Sequence, residues 1–469
     1  MITKQEQEKD NKILRLEKEL GRLKKNLKKQ KYGLVWMDVP EAFEDDVENK
    51  LPILKENPKL AIKNKDGKPT HILIEGDNYH ALTCLNYTHK GKVDVIYIDP
   101  PYNTGSDGFK YKDKRVLDKF PDGTEVPKDH PYRHSYWLSF MRKRLELSRD
   151  ILNEKGVIFI SIDDNELAQL KLLCDDIFQE SNFICNFIWN QKLTGGHDSK
   201  HINVVHEYVL CYAKNKNEED VVNKRVSETE YSQFDKEKKL HFKWDSLWTV
   251  SHGYTKNCDY PIKAGDGTSV YPWMCHKDKE KVKEKARWFW SKETYNRDKK
   301  EVLVKQDKKG NWKVYKKVFA GTHIPYKSIF DKEIVGGTSS GKKVLENIFG
   351  SIQVFDNPKS LGLIKHIIKI GEKKDAIILD FFAGSGTTGQ AVLELNQEDG
   401  GNRQFILVTN NENKIMSNTC HPRIVKVIAN YKDKCGIRFY NTDFVGENNI
   451  LDATDKDKIE LAHNSRKYF

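Results

Sequence analysis

A chain of 469 residues, 38% hydrophobic and 32% charged, is long enough to bury a substantial core and to divide into two or three domains. No run approaches the eighteen or so uncharged apolar residues of a membrane span, and the Lys- and Glu-rich start is unlike a secretory leader, so membrane-spanning and secreted classes are excluded and a cytoplasmic protein is expected. The formal charge of +11 is unevenly placed: residues 236–320 carry 22 basic against 11 acidic side chains and residues 1–31 carry 11 against 5, which leaves the remainder net acidic.

The chain opens with Ile13, Leu16, Leu20, Leu23 and Leu27 at alternating three- and four-residue steps, a heptad seam on a helix. Two heptads suit either a helix that packs on its own domain or a dimerisation arm. Residues 92–99 form a short β-branched run that stops at Asp99-Pro100-Pro101-Tyr102-Asn103-Thr104-Gly105. Two successive prolines cannot continue a central strand, so Asp99 falls at a strand's carboxyl end, where open α/β sheets hold their ligands.

Further strands are predicted at 156–163, 183–190, 206–214 and 404–409, with helical periodicity over 166–178 and 359–370. Strands alternating with helices mean an α/β sheet. Between 236 and 320 lie six of the nine tryptophans (Trp244, Trp248, Trp273, Trp288, Trp290, Trp312) among the lysines. That composition suits a module facing a polyanion, or equally a small Trp-cored domain kept soluble by its charge. Residues 376–380 form a second short strand ending at Asp380, followed by Phe381-Phe382-Ala383-Gly384-Ser385-Gly386-Thr387-Thr388-Gly389 and a helical pattern. Gly384 and Gly386 allow a tight turn close to a ligand, and the helix start offers N–H groups to an anion. Spacing alone leaves a dinucleotide such as NAD open. The eight cysteines show no Cys-x-x-Cys pair and no framework, so neither disulfides nor a metal site is expected.

Taken together, Asp99-Pro100-Pro101-Tyr102 and Phe381-Phe382-Ala383-Gly384-Ser385-Gly386 resemble the catalytic and cofactor motifs of the S-adenosylmethionine-dependent DNA amino-methyltransferases. Their order, with Asp380 281 positions after Asp99 and the basic insert between, resembles the β group of that family. Gly76-Asp77-Asn78 is similar to the motif that contacts the cofactor adenine, and Asn357-Pro358-Lys359-Ser360 to one that helps hold its methionine end. The resemblance covers residues 70 to 432. Asn103-Thr104-Gly105, Arg287-Trp288-Phe289-Trp290 and Asn311-Trp312 look most like modification subunits of type III restriction systems and their solitary relatives.

This resemblance implies a Rossmann-like mixed α/β methyltransferase sheet interrupted by a target-recognition domain. The implied layout is a basic helix (1–31), a first catalytic part (32–235), the recognition domain (236–345), a second catalytic part (346–432) and a polar tail (433–469) that packs at most an edge. It implies methyl transfer from S-adenosylmethionine, leaving S-adenosylhomocysteine, to adenine N6 in double-stranded DNA. Cytosine N4 is the rival base, and a subunit that mainly targets a nuclease partner is the rival role. The implied catalytic set is Asp99, Pro100, Pro101 and Tyr102. Because the amine lone pair is delocalised into the ring, Asp99 and the Pro100 carbonyl would orient it as acceptors while Tyr102 stacks on the base, flipped out at a cost of roughly a few kcal/mol. The cofactor would contact Asp77, Asn78, Lys359, Asp380, Phe381, Phe382, Ala383, Gly384, Gly386, Thr387 and Thr388. The family's acidic ribose contact is missing at its usual place, which leaves Asn410 or Glu412 in that role. Arg287 and Arg297, the only arginines between 236 and 320, are the candidates for guanine contacts. A homodimer and a helicase-nuclease restriction subunit are the implied partners.

Overall fold

The computed structural model describes residues 51–445 and Trp36, less 65–68, 105–118, 120–123, 128–129, 193–200, 219–222, 226–230, 251–252, 321–322, 372 and 432–434. The heptad seam expected at 13–27 and the dimer arm it would form lie outside the described residues. The chain divides into two compact units, one built from residues 1–222 and 327–469 and the other from 223–326.

The first unit is a ten-stranded sheet between helices. Its strands are β1 (Leu51–Glu56), β2 (Thr70–Glu75), β3 (Val93–Ile98), β4 (Leu152–Ile162), β5 (Phe183–Asn190), β6 (His206–Ala213), β7 (Ile329–Phe330), β8 (Ile377–Asp380), β9 (Gln404–Thr409) and β10 (Gly436–Val445). They lie in the order β1-β10-β2-β9-β8-β3-β4-β6-β5-β7. The six strands from β10 to β4 are mutually parallel, whereas β6 runs antiparallel to both β4 and β5, so the sheet is mixed as expected.

Parallel strands are covered on both faces, and β3 and β4 accordingly read as near-continuous apolar runs with Val95, Ile96, Ile98, Ile158, Phe159 and Ile160 at most 1% exposed. The helices are α1 (Asn78–Thr88), α2 (Ser135–Ile151), α3 (Leu167–Cys174), α4 (Thr338–Phe349), α5 (Leu361–Ile370), α6 (Thr387–Asp399) and α7 (His421–Ala429). From β3 the chain crosses through α2 toward β4, and from β8 through α6 the opposite way toward β9. Right-handed crossovers running in opposite directions put α2 and α6 on opposite faces of the sheet. Strand order therefore reverses between β3 and β8, and a crevice opens at their carboxyl ends.

Two boundaries differ from the sequence reading. The inserted unit is 223–326, not 236–345: Ile329–Phe330 extends the main sheet beside β5, where Phe330 stacks on Phe187 with ring centres 4.6 Å apart, and α4 buries Leu345 in the first unit. The tail does more than pack an edge. Gly436–Val445 lies between β1 and β2, parallel to β2 and antiparallel to β1, and buries Ile437 and Phe439. Its alternating Ile437-Arg438-Phe439 pattern is that of a strand, and polar neighbours mask it in composition.

The second unit holds a four-stranded antiparallel sheet in the order Val302–Gln306, Trp312–Phe319, Leu240–Ser246, Gln233–Asp235. Its core joins Leu247, Tyr260, Ile262, Val270, Trp288 and Val314, with Trp248, Trp290 and Trp312 packed against them. The Trp288 indole N–H donates to the Tyr260 carbonyl at 2.7 Å.

Because Phe439 is fully buried in a strand flanked on both sides, Phe439→Ala is expected to cost about 3–5 kcal/mol of stability. Urea unfolding with an unchanged m-value checks this; a loss below about 1 kcal/mol would mean that the strand is dispensable.

Candidate functional site

The site begins where β3 ends. After Ile98 the two prolines carry the chain off the sheet, and the turn is fixed from outside: the buried Trp137 indole on α2 donates to the Pro101 carbonyl at 2.7 Å. Two residues on, Asn103 takes a left-handed conformation (φ 59°) and its amide donates to the Glu166 carboxylate at 2.6 Å. Glu166 is fully buried, and the same oxygen lies 2.7 Å from His134 Nδ1. The hydrogen bond to Glu166 raises the His134 pKa, with burial opposing. A short-chain amide in a left-handed turn costs less than most side chains would, which suits Asn at this place.

β8 delivers the second half. Ile378 pairs with Val95 and Leu379 with Ile96, so Asp380 and Asp99, 281 positions apart in sequence, emerge at the ends of adjacent strands. Asp380 is 3% exposed; its carboxylate accepts the Phe382 backbone N–H at 3.0 Å and the Thr388 hydroxyl at 2.5 Å. Burial, with Asp99 adding to it, pushes the Asp380 carboxyl up to about 7 despite those two donors. The glycine turn then bends through left-handed Gly384 (φ 47°) and Gly386 (φ 78°) into α6. A Cβ at Gly384 would come 3.3 Å from the Phe355 ring and one at Gly386 3.1 Å from the Cys420 sulfur, so both positions lack room as well as the right conformation for a side chain.

Beneath this turn lies a fully buried guanidinium. Arg423 Nη1 donates to the Ser385 carbonyl (3.2 Å), the Ser385 hydroxyl (3.0 Å) and the Thr387 hydroxyl (2.9 Å), and Nε donates to Gln390 Oε1 (2.8 Å). Burial lowers its pKa to about 10, which leaves it charged at neutral pH.

A third wall comes from the start of α1. Asp77 caps the helix by accepting the Tyr79 N–H at 2.7 Å. The Asn78 amide donates to the Phe381 carbonyl at 2.9 Å and accepts from Arg144 Nε at 2.5 Å, which ties α1, α2 and the glycine turn together. The resulting cleft contains about 980 Å³ of space open to solvent and is lined by Asp77, Asn78, Asp99, Pro101, Lys359, Asp380, Phe381, Phe382, Ala383, Gly384, Thr387, Thr388, Asn410 and Glu412, among others. Thus one cleft gathers nearly the whole expected set. Gly386, Pro100 and Tyr102 are outside its lining, the first two as turn residues beside it. Asn410 and Glu412 are both exposed at its rim just past β9, with the Glu412 N–H 3.4 Å from Asn410 Oδ1.

The electrostatic centre is Lys359. Its ammonium lies 3.2 Å from Asp99 Oδ1, 2.9 Å from Glu207 Oε2 and 2.7 Å from the Tyr102 hydroxyl, and the Tyr102 hydroxyl in turn donates to Glu207 at 3.1 Å. Burial works against the lysine's charge, but Asp99 and Glu207 outweigh it and raise its pKa. At Asp99, burial raises the pKa, Lys359 lowers it and Glu207 raises it, with a net rise.

Glu207, Trp137 and Arg423 are absent from the sequence reading. Glu207 had a signal, a carboxylate inside the apolar run of β6; Arg423 had none, because its partners are 33 to 38 positions away. Of the two arginines singled out in the second unit, Arg287 lies in the strand Arg287–Trp288 with Nη1 3.3 Å from the Thr255 hydroxyl, and Arg297 is exposed and paired with Asp298 at 2.7 Å. Among the described residues no His, Cys, Asp and Glu group is placed to hold a metal.

The chain matches a family model described as DNA methylase over residues 93–418. It is 34% identical over 428 residues to the type III restriction-modification enzyme EcoPI Mod subunit of Escherichia phage P1, a match covering 82% of this chain and 64% of that protein. It is 37% identical over 389 residues to the type III restriction-modification enzyme StyLTI Mod subunit of Salmonella typhimurium, covering 79% of this chain and 56% of that protein. The chain thus spans less than two thirds of the length of these two relatives. Against the type II methyltransferase M.KpnI of Klebsiella pneumoniae it is 34% identical over 360 residues, covering 74% of this chain and 82% of that protein.

Arg423→Leu is expected to remove the donors to Gln390 Oε1 and the Ser385 carbonyl under the turn and to cost about 3 kcal/mol. Chemical denaturation measures this, and a variant as stable as wild type would show that the buried guanidinium does not hold the turn.

Proposed function

The chain belongs to the DNA methylase family, and we propose that it transfers a methyl group from S-adenosylmethionine to adenine N6 at a specific site in double-stranded DNA. One observation carries this reading: β3 and β8 pair in parallel, so the Asp-Pro-Pro-Tyr turn and the glycine turn open into the same cleft.

The residues fit the cofactor. Asp380 is a buried carboxylate on the cleft wall with no cation within its hydrogen-bond set, which suits an amino-acid ammonium. The glycine turn, which a Cβ would crowd, leads into the N-terminus of α6, which favours a carboxylate. Phe382 and Phe355 supply apolar surface, and Asp77 and Asn78 line the wall formed by α1. Asn410 or Glu412 would bond the ribose. S-adenosylmethionine supplies an electrophilic methyl on a sulfonium.

Asp99 and the Pro100 carbonyl act on the acceptor. As hydrogen-bond acceptors they hold the exocyclic amine and draw its lone pair out of conjugation; Asp99 stabilises the positive charge that develops on nitrogen and need not remove a proton beforehand. The cofactor would supply the methyl group and keep the electron pair of its S–C bond, and the amine proton set free afterwards would pass to solvent. Preorganisation is the turn's contribution: Trp137 holds the Pro101 carbonyl, and Asn103 is bonded to Glu166. Tyr102 provides the stacking ring for the flipped base, in line with the Asp-Pro-Pro-Tyr form of the motif that favours adenine over cytosine. The inserted unit at 223–326 would read the DNA sequence, with its lysines on phosphates. A homodimer completes the proposal. The Mod-subunit relatives favour a second role, as the DNA-recognising partner of a restriction subunit, which co-purification with the product of a neighbouring restriction gene tests.

With labelled S-adenosylmethionine and unmethylated genomic DNA, the wild type is expected to yield N6-methyldeoxyadenosine, identified by mass, and Asp99→Ala to lose at least about 1,000-fold in rate, the scale of losing a key electrostatic group. N4-methyldeoxycytidine as the product would overturn the choice of base, and undiminished transfer by Asp99→Ala the choice of site.

The Asp380 value gives a pH test. A bound ammonium stabilises the carboxylate and lowers its pKa below the free value of about 7, so affinity is full above pH 7 and falls as the pH drops through 7. Calorimetry with S-adenosylhomocysteine should show several-fold weaker binding at pH 6 than at pH 8, and Asp380→Asn should abolish that slope. A flat profile in the wild type would remove Asp380 from the ammonium contact.

A further inference from the structure

Lys359 sits where the proposed chemistry needs an unoccupied acceptor. Its ammonium has three N–H donors, and the structure gives it three acceptors, Asp99 Oδ1 at 3.2 Å, Glu207 Oε2 at 2.9 Å and the Tyr102 hydroxyl at 2.7 Å. The donor set is full, so Lys359 is committed to the catalytic turn. Asp99 is the carboxylate that the target amine must reach, and in this state a nitrogen cation already occupies one of its oxygens.

We propose that Lys359 competes with the incoming amine for Asp99, and that Glu207 is the positioning residue that retains the lysine when the base enters. This inference rests on the reading of the site as an amino-methyltransferase.

The charges support it. Asp99 and Glu207 carry two negative charges around a single ammonium whose side chain is 12% exposed. Without the lysine, nothing would offset the burial and the Glu207 charge that raise the Asp99 pKa. The ammonium therefore favours the ionised form of Asp99 against burial and Glu207, the form that accepts a hydrogen bond from an amine. When the amine donates to Asp99, the lysine gives up one bond and keeps two, to Glu207 and Tyr102. Since the Tyr102 hydroxyl also donates to Glu207 at 3.1 Å, the same carboxylate holds the stacking residue in place during the exchange. Glu207 lies on β6, antiparallel to β4, outside both sequence motifs.

The test compares Glu207→Gln, Lys359→Met and the double variant in methyl transfer to unmethylated genomic DNA at saturating S-adenosylmethionine, with cofactor affinity measured separately by calorimetry. In Glu207→Gln the lysine is left to Asp99, so kcat/KM for DNA is expected to fall at least 10-fold while the Kd for cofactor changes less than threefold. Removing the competing ammonium should restore part of that loss, making the double variant faster than Glu207→Gln alone. Losses that multiply in the double variant would overturn the competition, as would a Glu207→Gln enzyme that turns over DNA like wild type or loses cofactor affinity in step with rate. Wild-type protein that transfers no methyl would instead bring down the functional reading and this inference with it, whereas an active wild type with multiplying losses removes the inference alone.

Discussion

The parallel pairing of β3 with β8 is the constraint on which the site depends. It is a short contact, registered through Val95 with Ile378 and Ile96 with Leu379, yet it closes a loop of more than 280 residues and brings two carboxylates to one crevice. Both strands are apolar and covered on both faces, so their ends are among the few places in this unit where a polar side chain can meet solvent and low-dielectric surroundings together. Asp99 and Asp380 stand there because strand order reverses there. The late strand β10 extends the sheet on one side, and β6 and β5 extend it on the other, where β6 also brings Glu207 to Lys359.

A buried carboxylate and a part-buried one in a single crevice raise a problem that the structure resolves in two ways. Asp380 is met by neutral donors, a backbone N–H and the Thr388 hydroxyl, which offset burial only in part and leave its carboxyl near 7. Asp99 is met by a full charge, the Lys359 ammonium. The first arrangement leaves a carboxylate that gains from a cationic ligand, and the second a carboxylate whose cation must yield to a donor. In the proposed function, the difference between neutral and charged compensation separates a binding role from an acceptor role, although both residues end short apolar strands with an aspartate.

Much of this was legible because the chemistry lies where the chain breaks its own pattern. Pro100 and Pro101 after an apolar run, and Gly384 and Gly386 before a helical one, mark strand ends without any knowledge of topology. What stayed hidden was what topology alone brings together. Arg423 and Glu207 reach the site from elements whose sequence patterns say only helix and strand, and Trp137 reads as one more apolar position of α2. The mid-sheet place of Gly436–Val445 was hidden for a different reason: a strand that pairs on both sides but alternates buried and part-exposed residues has the composition of a polar tail. The start of the recognition domain was set by where the basic excess begins. Charge follows surface, whereas the compact unit follows pairing, and Ile329–Phe330 pairs with β5 of the main sheet.

The inserted unit shows why basic and aromatic composition could not settle its own meaning. Trp288 is fully buried, and Trp248, Trp290 and Trp312 pack against the same core, so most of the tryptophans account for the fold of a small domain. The arginines divide in the opposite sense to a simple count. Arg287 is half-buried between strands, its Nε without a partner and its Nη1 spent on Thr255, and displacing it would disturb the core it adjoins. Arg297 is exposed, with only Asp298 beside it, and a surface pair of that kind is worth at most about 1 kcal/mol. Of the two, Arg297 is the more exposed, and Arg287 is the one tied to its neighbours within the unit.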